Sequence, residues 1–353
     1  MEELDGLPLA LSTAGAYLKR VAMDFSEYLQ LYRTSWLRLQ KMSPGLEDRA
    51  LHSTWNISYE QVERENTRSA MLLRLWAYFS NDDLWFELLR EGHATGPLWF
   101  RELTDDMLEF HEAVRVLCNY GLAEPDMSSK ERGIESRGYS MHSCVHMWTL
   151  HVLNQEQDVE MARLAMRCVG AHVPANTEQG YWVVERRLIQ HGDRCLATQV
   201  TSGISTAEDD EWIPYNLGLL YNDQGRLDEA EAMYDRALQG YERALGPEHT
   251  STLRTVNNLG VLYKDQGRLD EAEAMYGRAL QGYERALGPE RVNCYVPALN
   301  AIQNLADLYV TLERPVQARV LYEQCKAGIQ SVFGRHHDRY QQVTQQLILL
   351  EQD

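Results

Sequence analysis

The sequence predicts a mainly α-helical protein whose C-terminal part is a short superhelical stack of helix pairs. Three observations carry this. The 25-residue stretch QGRLDEAEAMYDRALQGYERALGPE, Gln224 to Glu248, returns from Gln266 to Glu290 with Gly277 for Asp235 as its only change. Apolar residues inside each copy fall three and four apart, the spacing of one helix face. Glycine and proline then punctuate the copies at fixed places, Gly225 and Gly267 between helices and Gly246-Pro247 and Gly288-Pro289 after them.

Composition bounds the rest. The chain has 353 residues, 44% apolar and 24% charged, as in a globular protein with a real core. No apolar run is long enough to span a bilayer, and the acidic start Met1-Glu2-Glu3 lacks the basic region of a secretory signal, so a cytoplasmic setting is expected. The six cysteines are scattered without a CxxC pair, which favours reduced thiols over zinc or disulfides. A net charge of −18 disfavours nucleic acid and anionic membranes as partners.

Residues 1–45 read as a helical fragment, opening on LDGLPLALSTAGAYLKR, an amphipathic helix already under way. Residues 46–150 read as a winged-helix-like domain. SAMLLRLWAYFSNDDLWFELL gives two helices broken at Asn81-Asp82, and MLEFHEAVRVLCNYGLAEPD a third ending near Gly121. GLAEPD and GYSMH then supply two strands around the polar MSSKERGIES. A recognition helix here would carry Asp105, Asp106, Glu109 and Glu112, which repel phosphate, so DNA binding is disfavoured. Residues 151–210 read as a helical connector.

Residues 211–353 read as three helical repeats plus a C-terminal helix. Copies begin at Asn216 (NLGLLYNDQG), Asn258 (NLGVLYKDQG) and, worn, Asn304 (NLADLYVTLE), where Arg314-Pro315 replaces the expected turn residues. Small residues alternating with large ones let paired helices approach closely, and stacking lets copies serve as each other's core. Glu231 and Glu273 are expected at exposed positions, and the acids Asp228, Glu229 and Glu231 on a solvated helix start.

The small and aromatic pattern of 212–335 resembles the tetratricopeptide repeat, in the 42-residue variant found in kinesin light chains. That resemblance implies a protein or peptide ligand along the concave face of the first helices, its backbone gripped by asparagines. The matching positions are Asn216, Asn258 and Asn304, with Asn222, Arg254, Asn257, Lys264 and Val310 beside them. An amide offers both a donor and an acceptor, as an extended backbone requires. The bland alternative is that each asparagine braces its neighbouring helix.

In the first half, GLPLA at Gly6–Ala10 and MHSCVHMW at Met141–Trp148 resemble the C-terminal part of NB-ARC modules of fungal NOD-like receptors. Residues 1–45 then correspond to the ARC region. The resemblance implies nucleotide contacts at Pro8 and His142, vestigial here because Ser143 replaces an aspartate and no GxxxxGK[ST] is present. No cofactor is expected, ADP or ATP only if another chain supplies the phosphate-binding half, and apolar surface is expected to be exposed over Leu4–Val21.

No catalytic constellation can be argued from spacing, and no metal site: His142 and His146 lie four apart without the glutamate or third ligand of a zinc helix. The favoured reading is non-catalytic protein recognition, as the sensor side of an NB-ARC/repeat signalling protein. Alternatives are a nucleotide-dependent switch and a kinesin-light-chain-like cargo adaptor, and self-association stays open.

Overall fold

The computed structural model describes residues 8–21, 23–31, 49–126, 135–154, 158–175, 179–202 and 210–351. The chain divides into two compact units, Met1–Ser205 and Thr206–Asp353.

In the first unit, α1 (Pro8–Val21) and α2 (25–31) precede α3 (Arg49–Glu65) and α4 (Thr67–Trp76). Then come α5 (Phe86–Arg90), α6 (Leu98–Thr104) and α7 (Met107–Asn119). Local chemistry sets their ends. Asn66 accepts from the Ser69 N–H to start α4, and Asp106 accepts from Leu108 and Glu109 to start α7. The chain leaves α7 at Gly121, φ 67°. Four tryptophans, Trp55, Trp76, Trp85 and Trp148, are fully buried and organise this core, Trp55 and Trp148 with ring centroids 5.8 Å apart.

Strands β1 (Glu124–Pro125) and β2 (Tyr139–Ser140) pair antiparallel, Glu124 opposite Ser140 and Pro125 opposite Tyr139. They are far shorter than the strands expected, and 127–134 of the polar connection lies outside the described residues. After β2 follow α8 (Ser143–Trp148), a π turn at Thr149–Leu153, α9 (Val159–Ala171) and α10 (Tyr181–Ser202). Helix α10 is bound into this unit. Arg187 donates to both carboxylate oxygens of Asp83 (2.8 and 2.9 Å), to the Ser136 carbonyl (3.3 Å), and lies 4.0 Å above the Trp85 ring.

Of the segment Leu4–Val21, where exposed apolar surface is expected, side chains 4–11 lie outside the described residues; within 12–21, Tyr17 is buried against Tyr28 and Tyr120, with ring centroids 5.5 and 5.9 Å away. Glu65 fixes this corner by accepting from the Tyr120 hydroxyl (2.7 Å) and pairing with Arg20. The three tyrosines bury one another.

The second unit is a stack of helix pairs: α11 (Trp212–Asp223) with α12 (Leu227–Leu245), α13 (Thr250–Asp265) with α14 (Leu269–Leu287), then α16 (Val296–Thr311) with α17 (Pro315–Phe333). A single-turn helix, α15 (Pro289–Val292), precedes α16, and α18 (Asp338–Leu349) follows α17. Close approach within each pair depends on small residues. A Cβ added at Gly218 would lie 2.6 Å from the Tyr234 ring, and one at Gly260 2.6 Å from Tyr276. Neighbouring pairs share their cores: Ala272 and Tyr276 of α14 pack with Leu305 and Leu308 of α16.

The turn inside each pair is the same device three times. The N–H groups of Gly225, Gly267 and Glu313 bond Asn222, Lys264 and Val310 carbonyls, while those of Arg226, Arg268 and Arg314 bond Tyr221, Tyr263 and Tyr309. This is the Schellman helix ending, which needs a left-handed residue. Gly225 and Gly267 supply it at φ 72° and 77°, and Glu313 is forced into it at 55°. The expected departure at Arg314-Pro315 is therefore corrected. Arg314 is the counterpart of Arg226 and Arg268, and Pro315 occupies the first turn of α17, where no N–H is missed. The departing residue is Glu313.

Candidate functional site

The first helices of successive pairs are joined edge to edge by amide side chains. Asn304 on α16 donates Nδ2 to Asn257 Oδ1 on α13 (3.1 Å), Asn257 donates to Asn258 Oδ1 (3.4 Å), and Asn258 donates to the Tyr215 hydroxyl on α11 (3.1 Å). The result is a row running across three repeats, each asparagine donating in the same direction and Tyr215 accepting at its end. Tyr215 corresponds to Asn257, 42 positions on, so the link between the first and second pairs is repeated between the second and third. Burial raises the Tyr215 hydroxyl pKa, which keeps it protonated while it accepts from Asn258.

The expected residues divide as follows. Asn257, Asn258 and Asn304 come together in the row, and Arg254, exposed, lays its guanidinium 4.6 Å over the Tyr215 ring beside it. Asn216 is half-buried one position beyond Tyr215. Lys264 is half-buried at the far end of α13, and Val310 is 40% exposed on α16. Asn222 turns to its neighbour Asp223 (3.5 Å), and its Oδ1 is buried without a hydrogen-bond partner. Sequence reasoning missed two members. Tyr215 was hidden because the pattern read there was asparagine. Arg339 of α18 donates to Asn300 Oδ1 (2.8 Å) and Gln303 Oε1 (3.0 Å). The match of Gly334-Arg-His-His337 to Gly246-Pro-Glu-His249 could have signalled it.

On the second helices, two exposures were misjudged. Glu231 and Glu273 are half-buried, because each receives an arginine from the next repeat: Arg268 Nη1 to Glu231 (2.9 Å) and Arg314 Nη1 to Glu273 (3.0 Å). Burial opposes ionisation of Glu231, but Arg268 and Gln266 outweigh it and hold its carboxyl below the ordinary range. These arginines are also the turn residues, with guanidinium groups 4.0 Å over Tyr263 and 5.8 Å over Tyr309. Asp228 does remain exposed at the helix start, and Glu229 pairs with Arg226 (2.7 Å).

In the first unit, the Pro8 side chain lies outside the described residues. His142 is exposed and caps α8, its Nδ1 accepting from the Cys144 N–H (3.2 Å). His146 is buried with Nε2 3.0 Å from the Phe79 carbonyl, and burial pushes its pKa down to about 4. The described residues contain no group of three side chains suited to a metal ion. No helix among them is long and apolar enough to cross a membrane.

Residues 209–285 and, separately, 298–338 match the tetratricopeptide repeat family. The chain thus carries tetratricopeptide repeats, and its fold is a mainly helical one with an α-solenoid of such repeats. A comparison with curated proteins gave no match. Among solved structures, the crystal structure of BtubC (BKLC) from P. vanneervenii is similar over 57% of this chain and 76% of that one, at 19% identity and a TM-score of 0.40. A likeness of that size carries no argument about function.

Proposed function

We propose that the repeat unit is a non-catalytic docking surface that holds an extended polypeptide segment across its first helices. The carrying observation is the amide row Asn304–Asn257–Asn258–Tyr215. Each side-chain amide has two N–H groups and two acceptor lone pairs, and the row spends one donor of each. Asn257 and Tyr215 are buried, so it is the second donors and spare lone pairs of half-buried Asn258 and Asn304 that are left to meet peptide groups, held in fixed directions by the bonds already made. Helix axes packed roughly 8–10 Å apart present one such position for about every three residues of extended chain.

Supporting this reading, tetratricopeptide repeats serve in general as protein-binding scaffolds, and the sequence resembles the kinesin-light-chain variant over 212–335. The nucleotide-switch alternative rests on GLPLA and MHSCVHMW alone, and in this structure His142 is engaged in capping its own helix. The sensor-side and cargo-adaptor settings likewise rest on resemblance alone. The test is display selection of random peptides on the full chain. Peptides that bind the native chain and lose about tenfold affinity on Asn258→Ala support the proposal, that loss being roughly one well-made hydrogen bond. Selected peptides that bind the Asn258→Ala and Asn304→Ala chains unchanged refute it.

A further inference from the structure

Helix α18 repeats the start of α13. The chain leaves α17 through Gly334 (φ 83°), as it leaves α12 through Gly246 (φ 93°). His337 then caps α18 by accepting from the Arg339 N–H (3.2 Å), as His249 caps α13 by accepting from Ser251 (3.2 Å). Counted from the caps, Gln342, Gln345 and Gln346 of α18 stand where Arg254, Asn257 and Asn258 stand in α13, and all three glutamines are exposed. Arg339 ties this helix to the amide side of α16 through Asn300 and Gln303, while Val343 on its other face is buried in the core with Tyr322 and Ile329.

We infer that α18 adds a fourth helix of amide side chains to the docking surface, and that this surface selects an extended polypeptide segment without net charge. The inference rests on the docking function proposed above. Its first support is that α18 has Gln342 where α13 has Arg254, so the added helix brings no cation at that position. Its second is charge: the protein carries −18, yet the positions equivalent to Asn257 and Asn258 hold only Tyr215, Asn216, Gln303, Asn304, Gln345 and Gln346 around the stack, none ionisable at neutral pH. Arg339, the cation nearest these glutamines, turns its Nη2 to Asn300 and Gln303 of α16. At the amide positions themselves a charged side chain meets no ion-pair partner and loses hydration, whereas peptide groups and uncharged polar side chains find a donor and an acceptor there.

The experiment uses the full chain and three synthetic peptides of about twelve residues, long enough to cross four helices: one of Ser, Asn, Gln and Thr, one rich in Asp and Glu, one rich in Lys and Arg. Binding is read by fluorescence anisotropy at low and physiological salt. The expected result is about tenfold tighter binding of the uncharged peptide with little salt dependence. Gln346→Ala and Gln342→Ala should each weaken it about three- to tenfold, the range of one net hydrogen bond, with the helical circular dichroism unchanged. Preference for either charged peptide, or binding of the uncharged one that Asn258→Ala weakens and both glutamine variants leave intact, overturns the inference while the docking function stands. Binding indifferent to Asn258 and Asn304 as well defeats the docking function itself.

Discussion

Asn304 donates its Nδ2 hydrogen to the Oδ1 of Asn257, 3.1 Å away on the preceding first helix, and Asn257 passes the pattern on to Asn258. The same amides thus both join the repeats and form the proposed docking face. Each of Asn257→Ala and Asn304→Ala is expected to cost about 1 kcal/mol in urea unfolding. The double variant should show a coupling of roughly 0.5–1.5 kcal/mol. Simple additivity would mean that the bond contributes nothing to repeat stacking.

Two glycines of the second repeat should respond oppositely to alanine. At Gly260 the added carbon meets Tyr276 at 2.6 Å, so Gly260→Ala should destabilise the repeat unit by about 1–3 kcal/mol. At Gly277, the single difference within the repeated 25-residue stretch, nothing lies within 4 Å. Gly277→Ala should therefore stabilise α14 by about 0.5–1 kcal/mol. Thermal or urea melts of the two variants check the pair, and a loss at Gly277 would contradict the packing described.

Glu313 holds a left-handed conformation that Gly225 and Gly267 adopt in the other turns. Such a conformation costs a residue with a Cβ about 1–2 kcal/mol. Glu313→Gly is expected to recover about 1 kcal/mol in the same unfolding assay, and a destabilised variant would show that the Glu313 side chain has a role of its own.

Acid should weaken the first unit through its buried histidines. His191 accepts from the Ser80 N–H at Nδ1 and lies against the Asp83 carbonyl at Nε2, and burial lowers its pKa to about 3; His146 falls to about 4. Both are depressed below an unfolded value of about 6.5, so the unfolded chain binds more protons between these limits. Their stabilisation is complete above about pH 6.5. It is lost as pH falls toward about 4 for His146 and about 3 for His191. The slope is on the order of 1 kcal/mol per pH unit for each ring that titrates. Tryptophan fluorescence of Trp55, Trp76, Trp85 and Trp148 reports this core. A melting midpoint that rose between pH 6.5 and pH 5 would contradict the assignment.

Much of the repeat unit was legible because its constraints are local. The spacing of Leu259, Leu262 and Tyr263, the turn at Gly267 and the stop at Gly288-Pro289 each act within one or two helical turns. What sequence could not show was the far partner of each polar group. Glu231 reads as a surface acid until Arg268, 37 residues on, is seen closing over it. Tyr215 joined the amide row only through a bond to Asn258, 43 residues away. In the first unit the strands shrank to two residues apiece, and α10 proved fastened to Asp83 and Ser136 by Arg187, contacts separated by 104 and 51 positions. Hydrophobic periodicity carries no record of such long-range pairings.

The most direct test places a photo-crosslinking amino acid at Arg254, beside the amide row, and separately at Gln281, an exposed position on α14. A display-selected peptide is irradiated with each variant of the full chain. A covalent adduct is expected from position 254 and none from position 281. An adduct from position 281 alone would place the ligand on the second helices and contradict the proposed docking face.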